Sequence, residues 1–273
     1  MGLAQVREAV NDQGGIKQLA RKNVPVSAVG RQAQLGLAAA YPRAGQWQRA
    51  IDTYQELASK YPDDAGVLQK WGSALLDRGQ PAEAIRPLER ARSAAPADIT
   101  TMHLLGEAYR HAGKLPEAVA VLRQCTHADP DRPACFVSLG VAEYHNANPA
   151  AARRVLEHAV LLAPESAEAH NSLATVLVVE DAAAAIRHYR RAIELNKNLV
   201  EAYAGMGSAL LRTGDSKGAR TAWEQALRLN PNDALLHVNL GTLLARLGDA
   251  EGAAQGYRNA LALNPRLGPI LFT

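Results

Sequence analysis

Between residues 31 and 267 the apolar residues recur on a 34-residue period, in two stripes per period. Positions 4, 7, 8 and 11 lie three or four apart, the spacing of one face of a helix with 3.6 residues per turn, and positions 20, 24 and 27 form a second such face. In residues 65–98 these positions are Leu68, Trp71, Gly72 and Leu75, then Ala84, Leu88 and Ala91. Adding 34 to each gives Met102, Leu105, Gly106, Tyr109, Ala118, Leu122 and Cys125. Each period therefore predicts two helices folded into a hairpin, with polar residues on the remaining faces. Small residues at positions 8 and 20 let the two backbones approach. Glycine usually stands at position 15 (Gly45, Gly79, Gly113, Gly214, Gly248), where a left-handed residue ends the first helix. Proline usually stands at position 32, as in Pro62, Pro96, Pro130 and Pro164; it has no amide proton to donate and stops the second helix.

Seven copies follow, over residues 31–64, 65–98, 99–132, 133–166, 167–199, 200–233 and 234–267. Self-similarity at this period predicts an all-α solenoid, in which each unit buries its apolar face by stacking on its neighbours. Some positions depart from the pattern. The fifth copy is one residue short around Val178 to Asp181 and has Lys197 where proline is usual, and Ala147 replaces the glycine of the fourth. Pro42 and Pro87 fall inside expected helices, where each removes a backbone hydrogen bond and predicts a kink. Residues 1–30 read as a degenerate helical cap, and residues 268–273 as an apolar tail carrying Ile270, Leu271 and Phe272.

At these residues the chain resembles the tetratricopeptide repeat family, whose period and pattern it shares. The resemblance implies a right-handed superhelix of antiparallel helix pairs, with a groove lined mainly by the first helix of each pair that receives a protein or peptide partner. It also implies that positions 2, 5, 9, 12 and 13 of each first helix line that groove. Carried onto this sequence, the lining includes His103, Glu107, Arg110 and His111 in the third copy and Val137, Val141, Tyr144 and His145 in the fourth. Asn171, Thr175 and Val178 follow in the fifth, and Ser208 and Arg212 in the sixth. Relatives that clamp a terminal carboxylate use lysine and asparagine in three consecutive first helices. Here Leu35 and Ala39 offer no donor at the corresponding places, and no later trio supplies the set. An asparagine ladder at position 6 is also lacking, since only Asn239 stands there.

Composition narrows the partner. The hydrophobic fraction is 48% with only 5% aromatic residues, a balance that suits close helix packing. A net charge of +3, most of it in residues 1–30, is a poor footprint for nucleic acid. Arginines on the second helices, such as Arg153, Arg154, Arg190 and Arg191, read as a solvated face. No stretch is apolar and long enough to cross a bilayer, and no secretory signal opens the chain. Two cysteines provide no disulfide framework, so the expected compartment is the cytoplasm, with a periplasmic or membrane-associated location requiring a signal or anchor that has been removed. Cys125 and Cys135 read first as packed thiols, with a disulfide, or a metal site including His127, as alternatives.

No catalytic constellation stands out. Gly205-Met-Gly207 lacks the third glycine and the preceding strand of a dinucleotide site, and Gly207 already serves packing at position 8. No histidine pair has metal-ligand spacing and no cofactor is implied. The sequence therefore predicts a non-enzymatic adaptor or scaffold. Two alternatives stay open: the recruiting half of a larger transferase or secretion machine, and a scaffold that self-assembles through the C-terminal tail.

Overall fold

A computed structural model describes residues 30–267. The expected apolar tail, and all of the expected cap except Gly30, lie outside them. Among the described residues are fourteen α-helices, two short 3-10 turns and no strand. They belong to two compact units, one ending at Pro130 and the other starting at Asp131, and each is taken by itself. The first contains α1 (Arg31–Ala40), α2 (Trp47–Lys60), α3 (Ala65–Asp77), α4 (Pro81–Ala94), α5 (Ile99–His111) and α6 (Leu115–Ala128). The second contains α7 (Pro133–His145), α8 (Pro149–Leu162), α9 (Ala167–Leu177), α10 (Ala182–Leu195), α11 (Val200–Arg212), α12 (Ser216–Leu229), α13 (Ala234–Arg246) and α14 (Ala250–Leu263). Within each unit every helix packs on the next one in the chain, and first helices of neighbouring pairs also touch, α3 with α5 and α9 with both α7 and α11.

The centre of each hairpin is the contact between position 8 of the first helix and position 24 of the second. Leu88, Leu122 and Leu156 are fully buried, and each sits where a side chain on Gly72, Gly106 or Gly140 would otherwise stand. Burying one leucine contributes about 2 kcal/mol, so the glycine's poor helix propensity, about 1 kcal/mol, is offset by the closer approach. Acid or serine side chains cap many helix starts. Asp98 accepts from the Thr101 amide at 3.0 Å, Ser166 from Ala169 at 3.2 Å and Asp181 from Ala184 at 2.9 Å, satisfying amides that have no partner within the helix.

The departures from the pattern resolve differently. Ala147 takes the left-handed backbone of the glycine it replaces, with φ 60°. In the fifth pair α9 ends at Leu177 and the turn closes through the Asp181 amide on the Leu177 carbonyl at 2.8 Å. Pro42 does not kink a helix: α1 stops at Ala40, and Pro42 opens a 3-10 turn. Pro87 is buried inside α4, which runs through it. Neither cysteine is a packed thiol. Cys125 and Cys135 are both disulfide-bonded, which removes the ground on which a reducing compartment was expected, since such bonds persist in oxidising surroundings.

Candidate protein-interaction faces

Each first helix buries one side against its neighbours and leaves the opposite side to solvent. On α9, Ala169, His170, Leu173, Ala174, Val176 and Leu177 are buried, whereas Glu168 and Thr175 are exposed and Asn171 is half-buried. This half-exposed side carries the residues expected to meet a partner.

In the first unit those residues lie on α5. His103 and Glu107 are half-buried and His111 is exposed. Arg110 grips Glu107 with two parallel bonds, Nε to Oε1 at 3.1 Å and Nη2 to Oε2 at 2.6 Å. The His111 ring nitrogen lies 2.6 Å from Arg110 Nη2 and 3.5 Å from Glu107 Oε2. A cavity of about 450 Å3 opens beside them, with Leu76, Pro81 and Leu104 as its apolar wall and Asp77, Glu107 and His111 as its polar one.

In the second unit Val141, Tyr144, Asn171, Val178 and Ser208 are half-buried, and His145, Thr175 and Arg212 are exposed. Val137 is different. It is buried with Ala159 and Ala169, because small residues at both sites leave room for it to turn inward, so it offers a partner little surface. Two of the hydroxyls are already engaged. Thr175 donates to the Asn171 carbonyl at 2.9 Å and Ser208 to the Ala204 carbonyl at 3.3 Å, the local bonding usual for these residues within helices. With the Thr175 proton so engaged, the Tyr189 hydroxyl 3.2 Å away donates to the Thr175 oxygen. Burial raises the Tyr189 pKa above the ordinary phenol value, so this proton stays in place. The buried Oδ1 of Asn171 has no partner.

A histidine pair stands beneath this face. His170 lies at position 4, normally apolar, and is buried. Its Nε2 lies 3.0 Å from the Pro164 carbonyl, which can only accept, and its Nδ1 lies 2.9 Å from Nδ1 of His188. The tautomers follow: His170 carries its proton on Nε2, and His188 donates from Nδ1. Burial, His170 and Arg187 hold the His188 pKa below the ordinary imidazole value, against an opposing pull from Glu157. Sequence reading missed this pair, although a histidine at an apolar position was a signal. On the second helices several arginines pair with glutamates at exposed sites, Arg153 with Glu157 at 2.9 Å and Arg220 with Glu224 at 2.8 Å, contacts of small worth. Among the described residues no group of three metal-ligating side chains comes together and no helix is long and apolar enough to cross a membrane.

Within each unit, helix hairpins of nearly one length packed one on the next define a helical repeat protein. Sequence profiles described as tetratricopeptide repeat match residues 32–64, 75–136, 110–177 and 204–267. The chain belongs to the tetratricopeptide repeat family. No curated protein matches it. Among solved structures it is similar to a chain of the APC/C hetero-tetramer Cut9–Hcn1, with TM-score 0.75 and 17% identity over 98% of this chain and 52% of that one. It thus spans about half the length of that relative. A tetratricopeptide repeat protein from Parabacteroides merdae gives TM-score 0.70 and 16% identity over 87% of this chain and 95% of that one. YrrB, described as having an unusual peptide-binding site, gives 0.50 and 17% over 67% and 95%. At these identities the likeness shows the fold.

Proposed function

We propose that this protein is a non-enzymatic scaffold that binds a segment of a partner protein on the half-exposed side of its first helices. The observation that carries this reading is half-buried Tyr144, which packs on the core of the second unit and shares the outward side with half-buried Asn171 and exposed Thr175. Tyr144 adds a large, stiff aromatic surface of the kind that anchors interfaces. The peptide-binding description of YrrB agrees with this use of the fold.

Capture of partners from the native cell by the full chain tests the proposal. Tyr144→Ala with Asn171→Ala should abolish capture while leaving the helical circular dichroism unchanged. Arg153→Ala with Arg220→Ala, on the second helices, should leave capture intact. The reverse pattern would place binding on the arginine-bearing side and refute the reading.

A further inference from the structure

Where a first helix packs between the second helices before and after it, the first unit has a place filled by one of its own side chains. Tyr109 of α5 is buried there and donates its hydroxyl to Glu89 of α4 at 2.5 Å. Lys114 Nζ stands over the ring, 6.0 Å from its centre. The register of the repeat locates the same place between α10, α11 and α12 of the second unit. Arg190 comes two residues before the fully buried Ala192, as Glu89 does before Ala91, and Leu210 comes three after Gly207, as Tyr109 does after Gly106. Leucine thus stands for tyrosine, and a guanidinium for the carboxylate that faces it. By the same register Gly218 stands for Glu117 and Asp215 for Lys114.

Leucine and glycine take less room than tyrosine and glutamate. A cavity of about 470 Å3 opens in the second unit, against about 370 Å3 beside Tyr109 and Glu89 in the first, and its size is that of a small-ligand site. Ile193, Tyr203, Met206, Leu210 and Ala222 form its apolar wall, and a methionine thioether can shape itself to a ring. Three charged side chains border it, of which two are already engaged. Asp215 accepts from the Gly218 amide at 2.8 Å and caps α12, and Glu194 pairs with Arg191 at 3.2 Å. Arg190 is exposed and has no ion pair or hydrogen bond among the described residues. At its position in the neighbouring repeats Glu157 and Glu224 each pair with an arginine four residues earlier, whereas the residue four before Arg190 is buried Ile186.

We infer that this cavity binds a small aromatic carboxylate. The ligand ring takes the place that the Tyr109 ring fills in the first unit, against Leu210 and Met206, and its carboxylate accepts from the Arg190 guanidinium, whose fork suits a bond to each oxygen. The exchange of Glu89 for Arg190 sets the charge of the ligand: the first site holds a hydroxyl that donates, and the second requires an anion that accepts. The site uses none of the residues assigned above to partner binding, so the two readings stand or fall separately.

Titrating 3-phenylpropionate and its uncharged amide into the full chain, with isotope-labelled methionine methyl groups read by NMR, tests the inference. Met206 lines the cavity, and Met102, buried in the first unit, serves as the internal control. The Met206 methyl signal should shift saturably while that of Met102 stays in place, and the acid should bind about tenfold tighter than the amide, the factor expected of one charged hydrogen bond. Arg190→Gln should reduce the acid to the affinity of the amide. Leu210→Tyr with Arg190→Glu rebuilds the Tyr109 and Glu89 pair in the second unit and should abolish the Met206 shift with either compound, at unchanged helical circular dichroism. No saturable shift at Met206, an equal shift at Met102, an amide that binds as tightly as the acid, or a preference for the acid that survives Arg190→Gln would each overturn the inference. Should the double variant lose helical signal, the Arg190→Gln comparison decides alone, because that side chain is exposed and its exchange leaves the packing intact.

Discussion

The contact between positions 8 and 24 makes the cost of one substitution depend on which repeat receives it. At Gly140 an added Cβ would lie 2.4 Å from Leu156 Cγ, against about 3.5–4.0 Å for a comfortable carbon contact. That atom is the branch point of a fully buried side chain, so Leu156 must move by about 1 Å into packed neighbours. Overpacking of this kind costs about 1–3 kcal/mol, and exchanging glycine for alanine in a helix returns about 1 kcal/mol. Gly140→Ala should therefore destabilise by as much as about 2 kcal/mol. At Gly241 the same Cβ meets nothing closer than 3.2 Å, to the Ala253 carbonyl and the edge of the Tyr257 ring. There a shift of a few tenths of an ångström suffices, and Gly241→Ala should lie between neutral and about 1 kcal/mol stabilising.

The fifth repeat supplies a rescue. It already combines Ala174 with Tyr189, whose ring occupies the place of a side chain on Gly205 in the next first helix, 2.3 Å from a Cβ there. Transplanting that set as Gly140→Ala, Leu156→Tyr and Ser172→Gly should recover much of the stability lost by Gly140→Ala alone. Urea denaturation followed at 222 nm, with hydrogen exchange placing the change on α7 and α8, measures all three variants. Equal effects at Gly140 and Gly241, or a triple variant no better than the single one, would refute the size rule.

Two further perturbations follow from the same coordinates. Ala147→Gly should raise the urea midpoint by the equivalent of up to about 1 kcal/mol, because the left-handed backbone costs an alanine about 1–2 kcal/mol and glycine's extra flexibility takes back about 0.5–1 kcal/mol; an unchanged or lower midpoint would show that the turn carries no such strain. The His188 pKa is lowered in the folded state, so the neutral histidine pair contributes fully above the unfolded imidazole value of about 6.5 and its contribution declines as pH falls through that value toward the folded one. Urea midpoints measured across this range should fall with acid in the natural protein and fall less in His188→Gln, with Glu157 of α8, Arg187 of α10 and His170 of α9 the charged or titratable neighbours that set the remainder; identical slopes would exclude the pair as the source.

Periodicity made the helix pairs legible because burial repeats with the helix: Leu88, Leu122 and Leu156 occupy one position and are equally buried. The effect of a proline was less so. Pro42 and Pro87 look alike as interruptions, yet α1 stops short of the first while α4 absorbs the second, and the difference lies in surroundings that no local rule contains. The histidine pair was hidden for a related reason: His170 and His188 stand 18 residues apart on different helices, and only the register of the hairpin brings their rings together.

For the proposed binding side, the period identified which residues look outward but could not tell which polar groups were already in use. Thr175 and Ser208 share the exposed side with Asn171 and were indistinguishable from it as partner contacts, yet both hydroxyls donate to carbonyls of their own helices. The Asn171 oxygen has no such outlet. Val137 fails for the opposite reason, since its position points outward by register while Ala159 and Ala169 leave a space that draws it in. On the proposed reading, recognition belongs to outward positions whose side chains are not spent within the protein, with half-buried Tyr144 supplying contact area. That is a narrower set of positions than the outward register alone selects.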